Sequence, residues 1–156
     1  MTTIKNLLIV YHSEGGETQK LAQSIINGIK IQAVPTLNIS IQDSINVKAN
    51  KVLEADAVIL GTSENFGYMA GAMKHFFDRI YYPCLEKKRG LPYALFVRAG
   101  NDGSGAVASI EKIALGLAWR RISTPLIFSG EITRFDLLKC EEFGATIATG
   151  LEVGIF

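Results

Sequence analysis

Four short, almost wholly apolar runs constrain this chain more than any other feature: NLLIVY (6–11), DAVILG (56–61), YALFV (93–97) and PLIFS (125–129). A strand with one face in water alternates apolar and polar residues. A run without alternation suits a strand covered on both faces, as in a parallel sheet. LNISIQ (37–42) does alternate, with Leu37, Ile39 and Ile41 set against Asn38, Ser40 and Gln42, and it reads as a more exposed strand at a sheet edge. Helical stripes fill the gaps. In 16–30, Leu21, Ala22, Ile25, Ile26 and Ile29 share one face, opposite Gln19, Lys20, Gln23 and Asn27. Met69, Met73, Phe76, Phe77 and Ile80 make a second stripe in 69–80, and Val107, Ile110, Ala114 and Leu117 a third. A further helix is expected over 134–151 and a short one over 46–54.

Strands alternating with helices call for right-handed crossovers and a doubly wound sheet. Five strands with the second at an edge fit an α/β three-layer sandwich, a parallel sheet in the order 2-1-3-4-5. The switch point then falls between strands one and three, and ligands bind there at the carboxyl ends. With no repeat, linker or low-complexity segment, residues 1–156 are expected to form a single domain.

Charge narrows the choice of partner. Sixteen basic and fifteen acidic residues leave a net charge of +1, which marks the surface for neither nucleic acid nor acidic membranes. EKKRG at 86–90 is the one basic cluster and reads as a solvated loop. No segment reaches the roughly 18–20 apolar residues of a membrane span, and the N-terminus runs into a strand rather than a signal peptide. Cys84 and Cys140 form no metal-ligand spacing, so free thiols in a reducing cytoplasm are expected.

Three loops would meet at the switch point: HSEGGET (12–18), TSENFGYMAG (62–71) and AGNDGSG (99–105). In the first, backbone N–H groups at the start of a helix carry partial positive charge, and Ser13 and Thr18 add hydroxyl donors. That suits a phosphate without lysine or arginine; a tight turn with Ser or Thr capping the helix is the alternative, and the loop alone leaves both open. No GK[ST] follows it, G-x-G-x-x-G and G-x-S-x-G are absent, and neither cysteine sits in a strand-to-helix loop with a downstream arginine. The acidic pair of a response-regulator receiver is missing too. The second loop combines Asn65, Phe66, Gly67, Tyr68 and Met69. Flat apolar contacts beside amide groups suit a planar heteroaromatic ligand, although Phe66 and Met69 would equally serve to cover the core. In the third loop Asn101, Asp102 and several backbone amides would face the far edge of such a ring.

YHSEGGET at 11–18 resembles the phosphate loop of flavodoxin-like proteins. GTSENFGYMAGAMKHFFDR at 61–79 is the more specific match, and resembles the flavin-side loop and helix of FMN-dependent NAD(P)H:quinone oxidoreductases of the tryptophan-repressor-binding-protein type. The resemblance covers nearly the whole chain in order and spacing. It implies a flavodoxin-like fold and noncovalent FMN, with its phosphate held by Ser13, Gly15, Gly16 and Thr18. Glu64, Asn65 and Phe66 would line the flavin, with Gly67, Tyr68 and Met69 close behind, and Gly100, Asn101, Asp102 and Gly103 would bound its pyrimidine side. The implied activity is reduction of a quinone or similar small acceptor by NADH or NADPH, with no catalytic side chain and no metal required. A one-electron flavodoxin carrier and a flavodoxin-like binding domain without FMN are the alternatives, and a homo-oligomer stays open. This chain departs from the pattern at Gly15, where a hydroxyl is usual, and at Glu14 and Glu17, which bring carboxylates towards the phosphate.

Other residues are expected to be structural. His12 would be satisfied by backbone at the strand end, and His75 would be solvated. Tyr81 and Tyr82 would pack after their helix, Trp119 with Arg120 and Arg121 would end one, and Cys84 would not be a nucleophile.

Overall fold

The computed structural model describes residues 3–156. Four strands of its sheet follow the apolar runs, β1 (Lys5–Tyr11), β3 (Ala57–Asn65), β5 (Pro92–Ala99) and β7 (Leu126–Ser129), and β2 (Leu37–Asp43) follows the alternating segment. Two are two-residue strands that the sequence did not announce, β4 (Tyr68–Met69) and β6 (Arg120–Arg121). The helices are α1 (Glu17–Ile31), α2 (Ala49–Glu54), α3 (Gly71–Cys84), α4 (Ser104–Gly116) and α5 (Arg134–Val153).

The parallel order β2-β1-β3-β5 is the expected one, and β6 and β7 share the last position beside β5. Arg120 and Arg121 pair with Pro92 and Tyr93, while Leu126–Ser129 pair with Phe96–Ala99. The fifth strand is therefore interrupted, and Pro125, lacking an N–H, lies in the gap. This corrects the expectation for 119–121. Helix α4 ends at Gly116, Trp119 turns into the core against Phe77 and Tyr93, and the two arginines are strand residues.

Alternation along each strand divides the apolar side chains between two cores. Leu8, Val10, Val58, Leu60, Leu95 and Val97 meet α2, α3 and α4; Leu7, Ile9, Ile59, Ala94 and Phe96 meet α1 and α5. Burying such side chains on both faces is worth roughly 1.5–3 kcal/mol apiece, which is why unbroken apolar runs became the central strands. Strand β2 is half-exposed along its length, as an edge strand is, and Ile41 of its apolar set is itself exposed. Helix α1 lies against α5 at two points where a Cβ would strike backbone: at Gly28, 1.9 Å from Glu141 O, and at Gly144, 2.1 Å from Ile25 O. That close packing holds α1 against α5 on one face of the sheet.

Candidate functional site

The three loops converge as the topology requires. In the first, Ser13 Oγ accepts the N–H groups of Gly16 at 3.1 Å and Gln19 at 3.2 Å. Gly16 precedes the helix with a φ of 87°, a conformation glycine adopts without strain. Ser13 thereby takes two of the N–H groups that every helix start leaves over. Its own O–H remains a donor, and the first-turn amides of Glu17 and Thr18 have no carbonyl of the helix to bond. Nothing lies within 4 Å of a Cβ built on Gly15 or Gly16, so this side of the loop is open. Thr18 is buried beneath it.

The second loop is a hairpin rather than the open loop the sequence implied. Strand β3 runs on to Asn65 and returns as β4, with Glu64 paired to Met69 and Asn65 to Tyr68. The two-residue connection, Phe66 and Gly67, has φ values of 54° and 71°. Positive φ at both positions is the tight hairpin turn that usually carries Asn-Gly. A phenylalanine there is strained, and its ring is fully exposed. Phe66 thus combines backbone strain with full exposure and gains no packing in return. The turn is pinned from behind: Ala70 N donates to Thr62 Oγ1 at 2.9 Å, and Met69 N to Ser109 Oγ at 3.2 Å. Gly105 on α4 abuts the carbonyl of Gly67, where a Cβ would come within 1.9 Å of the oxygen. Met69 itself is buried in the core, so its side chain covers the interior as the bland alternative had it, whereas that of Phe66 covers nothing.

The third loop is joined to the second by a carboxylate. Glu64 is buried, and its Oε1 accepts the Asn101 N–H at 2.8 Å. Asp102 faces its own loop instead. Its Oδ1 accepts the Ser104 hydroxyl at 2.7 Å and the Ser104 N–H at 3.0 Å, and these bonds hold its carboxyl below the ordinary carboxylate range. Gly100, Asn101 and Asp102 are exposed, while Gly103 is buried against Ile127. A cleft of about 360 Å³ opens at the carboxyl ends of β3, β5 and β7, lined by Ser63, Glu64, Arg98, Ala99, Gly100 and Gly130, with Arg98 joining it to Glu17 at the start of α1.

Arg98 is the residue the sequence reading missed. At the end of β5 its Nε donates to Glu17 Oε2, and its Nη1 donates to Ala99 O at 2.7 Å and Phe128 O at 3.4 Å. Its signal was faint: one charged residue closing an otherwise apolar run. Glu14 points into water, its side chain 80% exposed, with His12 Nε2 3.7 Å away. The His12 ring is satisfied by Asp43, Nδ1 to Oδ1 at 3.1 Å, not by backbone as expected. His75 is exposed beside Arg79. Tyr81 and Tyr82 meet edge to face at the far end of α3, with the Tyr81 hydroxyl against Gly116, away from the cleft. Both cysteines are free and buried, and no cluster among the described residues could hold a metal ion.

Residues 17–125 match the family described as NADPH-dependent FMN reductase. The chain belongs to the NADPH-dependent FMN reductase family. Among curated relatives of this family member is the NAD(P)H dehydrogenase (quinone) 3 of Rhizobium meliloti, 24% identical, with 90% of this chain aligned to 76% of that protein. A flavodoxin from the domain Archaea superposes with a TM-score of 0.81 at 24% identity, covering 94% of this chain and 99% of that one. A WrbA-like flavodoxin from Agrobacterium tumefaciens gives 0.73 at 18%, covering 93% and 96%. The solved structures establish the flavodoxin-like fold; the family match establishes the lineage.

The donor set of this FMN reductase family member fits a flavin mononucleotide. Hydroxyl and amide donors gather at one helix start, and an exposed aromatic ring and backbone amides lie on the other two loops at the same end of the sheet. The carboxylates do not spoil that fit, because Glu14 is solvated and Glu17 is paired.

Proposed function

We propose that the protein binds FMN noncovalently at this crevice and uses NADH or NADPH to reduce a quinone or a similar small acceptor. The observation that carries the reading is the hairpin tip, where Phe66 is both strained and bare at the same end of the sheet as a loop suited to phosphate. In this reading Ser13, Gly15, Gly16 and Thr18 hold the phosphate by O–H and N–H donors, with the partial charge of α1 adding to them. Phe66 offers its face to the flavin ring, Asn65 and Tyr68 flank it, and the backbone of Gly67 and the buried Met69 fix the hairpin. Glu64 fixes Asn101, so that the amides of 100–103 are presented to the polar edge of the ring. Bound FMN supplies hydride acceptance and donation at its N5. The chain's own part is to bind and orient, which agrees with a crevice where His12, Glu17, Glu64 and Asp102 are each committed to structural bonds.

A net charge of +1 supports an enzyme over an electron carrier. Steering a protein partner needs a sizeable field of one sign, which a net charge of +1 does not supply. Two free, buried thiols suit a reducing compartment, and we place the protein in the cytoplasm on that ground.

The test is oxidation of NADH and of NADPH by FMN-loaded protein, with and without a small p-quinone. Oxidation that requires both FMN and the quinone is expected. Tight FMN binding with neither nicotinamide oxidised would turn the reading to a one-electron carrier, and no FMN binding would leave a cofactor-free binding domain.

A further inference from the structure

The pairing of Arg98 with Glu17 has a bearing on which flavin the site takes, given the phosphate reading above. Glu17 is the first residue of α1, so its carboxylate is carried on the same helix turn whose amides would face the phosphate. A phosphate monoester carries close to two negative charges at neutral pH. A free carboxylate beside it would oppose the partial positive charge of the helix start, which amounts to only about half an elementary charge. The guanidinium of Arg98 removes that opposition. It is held by the carbonyls of Ala99 and Phe128, on two adjacent strands, and meets Glu17 from the sheet side. The two side chains differ in wetness: that of Arg98 is 18% exposed and that of Glu17 45%. The anchored, drier partner therefore fixes the wetter one, and water screens the pair only in part. Glu14 needs no such partner because it is already solvated.

We propose that Arg98 makes the first loop selective for a phosphorylated flavin. It is a positioning residue: although it also lines the cleft, its guanidinium is committed to the Glu17 carboxylate and to two carbonyls, and it acts by cancelling the Glu17 charge at the start of α1. A plain tie between helix and sheet would also place Arg98 here. The two roles differ in what they predict for riboflavin, which shares the ring and lacks the phosphate.

The experiment compares FMN and riboflavin affinities, by quenching of flavin fluorescence, for wild type, Glu17→Gln, Arg98→Met and the double variant, at low and high salt. Arg98→Met should weaken FMN about tenfold, the scale of one uncompensated charge near a dianion in a partly hydrated site, and leave riboflavin nearly unchanged. High salt should narrow that gap. Glu17→Gln should bind FMN as well as wild type or a few-fold better, and the double variant should return to near the wild-type value. Equal loss of both flavins in Arg98→Met would make Arg98 a structural tie only. A double variant as weak as Arg98→Met would show that Arg98 does not act through Glu17. Either result overturns the inference. Should Arg98→Met fail to fold, Glu17→Gln and Arg98→Lys carry the test, and a loss of FMN preference in Glu17→Gln refutes it. A wild-type protein that binds riboflavin as tightly as FMN refutes the phosphate reading itself, and the inference with it.

Discussion

Gly105→Ala perturbs the β3–β4 hairpin without touching its own residues, because the substituted residue lies on α4 and abuts the turn at Gly67. A Cβ built there falls 1.9 Å from Gly67 O, 2.5 Å from its carbonyl carbon and 3.0 Å from its Cα. Ordinary carbon–oxygen contact begins at about 3.3 Å, so the turn or the helix must move by more than about 1 Å. Overpacking of that kind costs about 1–3 kcal/mol. Against it stands the gain of replacing glycine by alanine in a helix, about 0.5–1 kcal/mol. The net expectation is a loss of about 1 kcal/mol, where the helix effect alone would give a gain. Phe66 travels with the turn, and a radial gap of about 0.5–1 Å forfeits a quarter to a half of each dispersion contact. FMN and riboflavin should therefore both bind less tightly, by similar factors of about tenfold. The assay pairs thermal melting with flavin titration, and Gly71→Ala is the control, since a Cβ there meets nothing within 4 Å. A Gly105→Ala protein that melts higher than wild type and keeps its flavin affinity would refute the packing argument.

Ser13→Ala should lower stability by about 0.5–2 kcal/mol, as removal of a helix cap does, and should weaken FMN while sparing riboflavin; denaturant titration and flavin quenching read the two effects. Phe66→Asn should do the reverse to stability, raising it by about 1 kcal/mol or more as the strained turn becomes Asn-Gly, while weakening both flavins equally; unchanged affinity would remove Phe66 from the ring. Burial, aided by the nearby Asp136 and Glu141 carboxylates, pushes the Cys140 thiol up to about 12 from an ordinary 9.0. The unfolded chain loses that proton first, so stability should fall as pH rises from about 9 towards about 12, visible in denaturant midpoints and reduced in Cys140→Ala.

Much of this architecture was legible because burial on both faces leaves an unmistakable mark. Leu7 to Val10, Ala57 to Leu60 and Tyr93 to Val97 are apolar without interruption since neither side of the sheet meets water there. What escaped was set by partners distant in sequence. Arg120 and Arg121 are polar and exposed, and become a strand only because β5 offers Pro92 and Tyr93 beside them. The hairpin was hidden by its own strain: a turn with phenylalanine at a positive φ violates the turn chemistry by which such turns are found. Glu17 looked like a liability to phosphate because its counter-ion stands 81 residues away. His12 found Asp43 in the same manner, across 31 residues. In the candidate site, the loops and their residue types were readable, whereas the pairing of charges between loops was not.

Backbone amide shifts during titration with FMN and with riboflavin test the siting of the cofactor most directly. FMN should move the amides of Gly15, Gly16, Glu17 and Thr18 together with those of Phe66, Gly67 and 100–103. Riboflavin should move the second and third loops and leave the first nearly still. The opposite end of the sheet offers a competing cleft of about 210 Å³, lined by Thr3, Lys5, Val34, Thr36, Leu37, Leu151 and Glu152. Shifts centred there, or a first loop that responds equally to both flavins, would contradict the account.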